Sequence, residues 1–260
     1  MKRISFLILA AMFCCGRLFA GFAPSKEFYQ IKIYHLKNPE QEKRVDTFLQ
    51  NAYLPALHRA GIAKAGVFKP VPGGEAAAEK LIYVFIPFSA QKELFKLDQK
   101  LSADKQYAAA GSDYLDAVYN NLPYERIEII VLEAFDKSPV FTMPVLTGPK
   151  KDRIYELRSY EGHTEKISEN KIVMFNKGDE VGLFKRLGFN AVFYAKVMAG
   201  SHMPNLMYLT TFENKASRDA HWDAFGKDDY WKKLVAMPEY QHNVSKNDTK
   251  FLYPTDYSDI

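Results

Sequence analysis

Cysteine is nearly absent from this sequence. The chain has 260 residues and two cysteines, Cys14 and Cys15, which both lie in its first 20 residues. If that segment is removed on export, no thiol remains to form a disulfide, ligate a metal or act as a nucleophile. A Gly-x-Ser-x-Gly elbow, a Gly-x-Gly-x-x-Gly motif and a Gly-x-x-x-x-Gly-Lys-Ser/Thr loop are also missing. These absences exclude thiol catalysis and the common hydrolase and nucleotide-binding signatures.

An excess of charge of one sign is missing as well. The sequence has 35 basic and 31 acidic residues, and three of the basic ones (Lys2, Arg3 and Arg17) lie in the first 20 residues, which contain no acid. Subtracting them leaves 32 basic against 31 acidic residues, a net charge of +1. A nearly neutral chain without a basic run has no electrostatic footprint for nucleic acid. We therefore expect no nucleic-acid partner.

Only one long apolar run is present, and it lies at the start of the chain. A basic pair at residues 2–3 precedes a mostly apolar run at 4–15, and small residues follow at Ala20 and Gly21. This order is typical of a secretory signal peptide, which we predict at residues 1–20. The run is too short to span a bilayer, which takes about 20 residues. We expect a periplasmic or secreted protein with no membrane span in the mature chain.

The sequence repeats itself at a nearly constant offset of 125–127 residues. The matching segments are 28–34 with 154–160, 59–62 with 186–189, and 81–84 with 206–209. Three ordered matches over more than 50 residues indicate an internal duplication. Chance similarity between short aromatic strands is the alternative.

Each repeat has the pattern strand-helix-strand-strand-helix-strand, which is the ferredoxin-like α+β arrangement. We predict a diverged first repeat at 26–137, a proline-rich linker at 138–151 and a second repeat at 152–260. The predicted helices cover 40–59, with a kink near Pro55, and then 89–120, 164–187 and 214–236. Because one such unit covers only one face of its sheet, two tandem units are expected to pack into a pseudo-twofold dimeric α/β-barrel.

The second repeat resembles the NIPSNAP family of dimeric α/β-barrel proteins. The residues that carry the resemblance are Tyr155–Tyr160, Met174–Gly178, Leu183–Phe184, Leu187–Asn190, Met203–Tyr208, Phe212–Asn214, Arg218, Trp222 and Tyr230–Trp231. The first repeat departs from this pattern and contains no tryptophan. The resemblance implies a barrel fold, self-association into a homo-oligomer, and binding of a small ligand or a protein partner. The wider superfamily also includes small monooxygenases and haem-binding proteins.

The first strand of each repeat alternates between two faces. The polar and aromatic faces carry the ligand-binding candidates, which are Gln30, Lys32 and Tyr34 in the first repeat and Glu156, Arg158 and Tyr160 in the second. One interpretation is a polar pocket between the sheets, in which Arg158 clamps an anion. The alternative is a structural ion pair between Glu156 and Arg158.

The six histidines show no His-x-x-x-His or His-x-His spacing, so we predict no metal site. His35 and His163 follow the first strands and could reach a barrel mouth as a general base or haem ligand. The alternative is an ordinary surface position. Tyr230 and Trp231 are candidates for a partner surface, with packing beneath the last helix as the alternative.

These features favour an exported protein that binds a small ligand or a protein partner, with no catalytic residue and no cofactor assigned. The alternative is an enzyme, a cofactor-free or haem-dependent monooxygenase or isomerase that uses the barrel interior.

Overall fold

The computed structural model describes residues 25–73 and 79–260, so the predicted signal peptide lies outside the described residues. Segments rich in aromatic and β-branched residues form eight strands, as their composition predicts. The strands are β1 (Phe28–Leu36), β2 (Gly66–Pro70), β3 (Lys80–Phe88), β4 (Arg126–Ala134), β5 (Ile154–Glu161), β6 (Phe193–Ala199), β7 (Asn205–Phe212) and β8 (Lys246–Pro254).

The eight strands close into one antiparallel barrel in the order β1-β3-β2-β8-β5-β7-β6-β4. The order β4-β1-β3-β2 in the first half recurs as β8-β5-β7-β6 in the second half. The halves join where β2 pairs with β8 and where β4 pairs with β6. The predicted mixed α/β barrel is therefore confirmed.

Helices cover the outer surface of the barrel. In chain order they are α1 (Pro39–Phe48), α2 (Leu54–Arg59), α3 (Gln91–Ser102), α4 (Lys105–Ala110), α5 (Ser112–Leu115), α6 (Glu165–Asn176), α7 (Glu180–Arg186), α8 (Lys215–Lys227) and α9 (Asp229–Ala236). In the described residues, no helix combines the length and apolar composition needed to cross a membrane.

The long predicted helices are interrupted, each at an identifiable residue. Asp179 has a left-handed backbone (φ 54°) and separates α6 from α7, where one helix over 164–187 was predicted. Asp228 ends α8, and its side chain accepts hydrogen bonds from the first backbone N–H groups of α9. Asp104 caps α4 in the same way. Between α1 and α2 the chain winds into a π-helical turn, Leu49–Tyr53, just before Pro55.

The barrel interior is closed at one end by large side chains. Phe85 and Phe193 stack there with ring centroids 5.1 Å apart, and Ile260 packs into the same cluster. Phe141, from the segment predicted as a linker, packs against this cluster. The void left beside these rings is only about 10 Å³, so this end is filled. The opposite end of the barrel is open.

Candidate functional site

The open end of the barrel contains a cavity of about 350 Å³. Its inner part is apolar, and the lining residues there are Ile33, Leu81, Ile130, Leu157 and Met207. All five side chains are buried, at 9% exposure or less. A concave apolar space of this size that opens toward a few polar groups has the usual form of a small-molecule site.

The strand register places polar side chains at the mouth of this cavity. The carboxyl ends of β1 and β5 meet the amino ends of β4 and β8, so His35 pairs with Arg126 and Ser159 pairs with Asp248. Two residues further into the barrel along these strands, Ile33 pairs with Glu128. Because alternate residues of a strand share a face, each of these strands changes from apolar to polar as it nears the mouth.

His35 lies between two carboxylates in the cavity wall. Its Nε2 is 3.6 Å from a Glu128 oxygen, and its Nδ1 is 3.7 Å from a Glu79 oxygen. At these separations neither ring nitrogen is held by a hydrogen bond of normal length. Among the described residues, Nε2 is buried and has no hydrogen-bond partner. A buried polar atom without a partner requires an explanation, which an ordered water or a bound ligand would supply.

Tyr83 lies on the strand next to His35 and lines the same cavity. Burial raises the pKa of its hydroxyl, and the negative charges of Asp248, Glu128 and Glu79 raise this pKa further. Tyr83 therefore remains protonated over the physiological pH range and is available as a hydrogen-bond donor.

The loop between β6 and β7 forms one side of the mouth. Ser201 donates a hydrogen bond to Glu128, and His202 lies 3.4 Å from Glu161. On the other side, Lys250 forms an ion pair with Asp248 at 3.0 Å. The mouth thus carries acidic, basic and neutral groups above an apolar interior.

The six predicted ligand residues do not line this cavity. They lie on the outer faces of β1 and β5, beneath the helices, and these two strands are opposite each other in the ring of eight. The cavity inside the barrel is therefore lined by other residues, and the role of these six as ligand residues stays a prediction. The interior takes the more apolar alternate set, which includes Ile31, Ile33 and Leu157, because the centre of a closed barrel is the driest environment in the fold.

In the second half, Glu156 is the centre of a buried polar cluster. Its carboxylate is fully buried and accepts two hydrogen bonds of 2.8 Å from Arg218 and one of 2.7 Å from the Trp222 indole. Arg158 lies 3.4 Å from the same carboxylate, and its guanidinium is 4.3 Å from the Trp222 ring centroid. The Tyr160 hydroxyl is 2.8 Å from that of Tyr208. This geometry agrees with the structural ion-pair alternative for Glu156.

The equivalent residues of the first half have fewer polar partners. Lys32 donates a 3.3 Å hydrogen bond to the Tyr53 hydroxyl and forms no ion pair within the described residues. Burial lowers the pKa of its amine. The Tyr34 hydroxyl is buried and makes no hydrogen bond of normal geometry with the described residues. Gln30 is buried on the same face.

The two partner-surface candidates have different environments. Tyr230 is 43% exposed, and its hydroxyl donates to the Gly178 carbonyl at 2.7 Å. Trp231 is partly buried and lies 4.5 Å from the ring of Phe225. Both stay candidates for a partner surface, since Trp231 also lines an open surface depression.

The sequence analysis did not identify Tyr83, Glu128, Asp248 or His202 as site residues. The sequence did contain a signal for such a site. The inward-facing residues of β4 and β8 are charged at the start of each strand and apolar further along it. His35, which the sequence did place near a barrel mouth, lies there. The described part of the chain has no group of three His, Cys, Asp or Glu side chains that could hold a metal ion.

The second half of the chain matches a known protein family. Residues 155–259 match the NIPSNAP family, so the resemblance noted in the sequence is confirmed for this region. No curated protein matches the chain.

Solved structures share the fold over most of the chain. A monooxygenase candidate from Lactobacillus acidophilus NCFM aligns with a TM-score of 0.57 and 13% identity, over 88% of this chain and 94% of its own. A monooxygenase candidate from Fusobacterium nucleatum aligns with a TM-score of 0.57 and 5% identity, over 88% and 93%. An anthrone oxidase-like protein aligns with a TM-score of 0.54 and 10% identity, over 90% and 93%. At these identities the likeness shows the fold alone.

Proposed function

We propose that this protein, whose second half matches the NIPSNAP family, binds a small organic molecule in the open end of its barrel. The observation that carries the proposal is the cavity of about 350 Å³, with its apolar interior and polar mouth. The filled opposite end makes the cavity a blind pocket, so a ligand enters and leaves by the mouth.

The lining indicates the general chemistry of the ligand. An apolar ring or short aliphatic part fits against Ile33, Leu157 and Met207, where burial of apolar surface stabilises the complex by about 25 cal/mol per Å². A polar group at the other end of the ligand meets His35 and Tyr83 at the mouth. We therefore expect an amphipathic ligand with one or two polar groups.

Native mass spectrometry of the purified protein tests this function. A mass above that of the polypeptide, lost on collisional activation, would be the expected result, and its value separates a small organic molecule from haem. A haem mass would favour the second candidate function, a haem-dependent enzyme. The same spectrum shows whether the protein self-associates, as the family resemblance implies.

Two neighbouring residues on β4 provide a matched pair of variants. Ile130 faces the cavity, whereas Ile129 faces outward and is 48% exposed. Ile130→Phe fills part of the cavity and should weaken ligand binding at least tenfold, whereas Ile129→Phe should leave binding unchanged. Equal binding by both variants, with both proteins folded, would reject the cavity as the site.

We also propose that the protein acts outside the cytoplasm, because residues 1–20 have the pattern of a signal peptide. Cell fractionation and N-terminal sequencing of the mature protein test this. A mature protein that keeps residues 1–20 and stays with the cytoplasmic fraction would contradict it.

A further inference from the structure

We propose that the cavity catalyses a proton transfer in a small carbonyl compound, with His35 as the base and Tyr83 as the hydrogen-bond donor to the carbonyl oxygen. The inference rests on the proposed binding function, since the substrate occupies the same cavity. It adds a reaction class, a substrate class and two catalytic residues to that function.

The first step of the argument concerns His35. Its Nε2 is buried in the cavity wall and has no hydrogen-bond partner among the described residues, so its lone pair or its proton is available to a ligand. Carboxylate oxygens of Glu128 and Glu79 lie 3.6 and 3.7 Å from the ring nitrogens, so an imidazolium formed by proton transfer has negative charges beside it. Glu128 acts through His35 and is therefore a positioning residue. Ser201 donates a hydrogen bond to Glu128 and helps to hold it in place.

The second step concerns the distance between the two groups. His35 pairs with Leu81 and Ile33 pairs with Tyr83, so His35 and Tyr83 are diagonal neighbours on adjacent antiparallel strands. Diagonal neighbours are about 7–8 Å apart at the backbone, and both side chains face the barrel interior. One small molecule can therefore contact both groups at once. Because the raised pKa keeps Tyr83 protonated, its hydroxyl can donate to an oxygen that gains negative charge.

The third step is the reaction that this pair allows. His35 removes a proton from the carbon next to the carbonyl group, and the C–H electron pair forms a C=C bond while the C=O pair moves to oxygen. Tyr83 stabilises that enolate oxygen by its hydrogen bond. The protonated His35 then returns the proton to the oxygen or to another carbon of the same molecule, which gives the tautomer or the isomer. Atoms and electrons balance within the substrate, and no co-reactant is consumed.

The apolar interior adds two properties that such a reaction needs. Leu157, Met207 and Ile130 hold the body of the substrate, so the acidic carbon is presented near the mouth. They also exclude water from one side of the enolate, where a hydrogen bond from Tyr83 is worth more than in bulk solvent. The substrate class is thus a small ketone or keto acid with an aromatic or aliphatic body.

The test uses phenylpyruvate as the probe. Deuterium incorporation at its C3 position in D₂O is followed by ¹H NMR, and saturation transfer from protein to the phenyl protons reports binding in the same sample. We expect exchange on the order of 10²–10⁴-fold faster than with an equal concentration of free imidazole.

Three variants assign the roles. His35→Gln should reduce exchange to background, and Tyr83→Phe should slow exchange on the order of 10²-fold, with binding retained in both. His163→Gln, an exposed histidine outside the cavity, is the control and should keep the full rate. An unchanged rate in folded His35→Gln would overturn the assignment.

The two readouts separate this inference from the function on which it rests. Saturation transfer without exchange in the wild-type protein would reject proton transfer and leave ligand binding in place. Absence of both signals would count against the catalytic proposal, whereas native mass spectrometry judges binding independently of this probe.

Discussion

The outer faces of β1 and β5 occupy equivalent places in the two halves of the barrel, but their buried polar groups are stabilised in different ways. On β5, the Glu156 carboxylate is matched by Arg218, Arg158 and the Trp222 indole. On β1, Gln30 replaces the carboxylate, and within the described part of the chain Lys32 has only the Tyr53 hydroxyl as a hydrogen-bond partner.

The difference shows that equivalent places in the two halves share burial and not chemistry. A buried carboxylate is tolerated only with its cations, so loss of the carboxylate and loss of its arginine partners must go together. The first half has no carboxylate and no tryptophan at the places equivalent to Glu156 and Trp222. Tyrosine rings around Tyr34 fill the space instead. Unfolding experiments on equivalent residues of the two halves can therefore test this difference.

The largest effect is expected at Glu156. Glu156→Gln leaves two guanidinium groups without a buried counter-charge and should lower the free energy of unfolding by about 3–5 kcal/mol. Gln30→Leu, at the equivalent position, should change it by less than about 1 kcal/mol, because the structure shows no side-chain hydrogen bond for Gln30 among the described residues. Urea unfolding of both variants measures the difference. Similar losses would mean that Glu156 is not the centre of its cluster.

Substitutions at Arg158 and at Lys32 are expected to change the free energy of unfolding in opposite directions. Arg158→Met removes a cation–π contact and a weak ion pair and should cost about 1–2 kcal/mol. Lys32→Met removes an amine whose charged form is disfavoured by burial and should stabilise the fold by about 1 kcal/mol at pH 7. Thermal unfolding followed by circular dichroism checks both signs.

The pH dependence of the Lys32 variant follows from the direction of its pKa shift. Burial lowers the pKa of Lys32 in the folded state, so the folded protein releases this proton at lower pH than the unfolded chain does. Between the folded-state pKa of Lys32 and its usual value of 10.5, the free energy of unfolding of the wild type should rise with pH relative to that of Lys32→Met. The advantage of the methionine variant should shrink across this window. An advantage that stays constant up to pH 10.5 would contradict the burial of the amine.

The smallest effect is expected from the two tyrosine hydroxyls. Tyr160→Phe removes one partner of the 2.8 Å hydrogen bond to Tyr208 and should cost about 0.5–1.5 kcal/mol. Tyr34→Phe should cost about nothing, because the Tyr34 hydroxyl has no hydrogen bond of normal geometry to lose within the described residues. Chemical unfolding with matched baselines resolves the two values. A larger loss for Tyr34→Phe would reveal a partner such as bound water.

Much of the fold was predictable from local patterns. Alternation located the strands, and the repeat at an offset of 126 predicted that the strand order would occur twice. The irregularity near Pro55 was predicted, but the breaks at Asp179 and Asp228 were not, because the capping geometry there depends on the turn itself.

The candidate site was only partly predictable, because alternation divides a strand into two faces without saying which one turns inward. Polar residues such as Lys32 and Arg158 suggested a site. Lys32 instead contacts Tyr53 of the π-helical turn, and Arg158 lies against Trp222 of α8 and near Glu156 of its own strand. His35 was placed near a barrel mouth because it follows the first strand. Its partner Glu128 comes from β4, more than 90 residues later in the chain.

The sequence by itself determined the strands, the duplication and the composition of each strand face, because these depend on short-range periodicity and on similarity between segments. Only the tertiary structure decided which face became the interior and which strand ends meet at the mouth. Ring closure and register place His35, Tyr83, Glu128 and Asp248 in one cavity. The physical reason is that the burial free energy of all eight strands together selects the register, and no single segment contains that information.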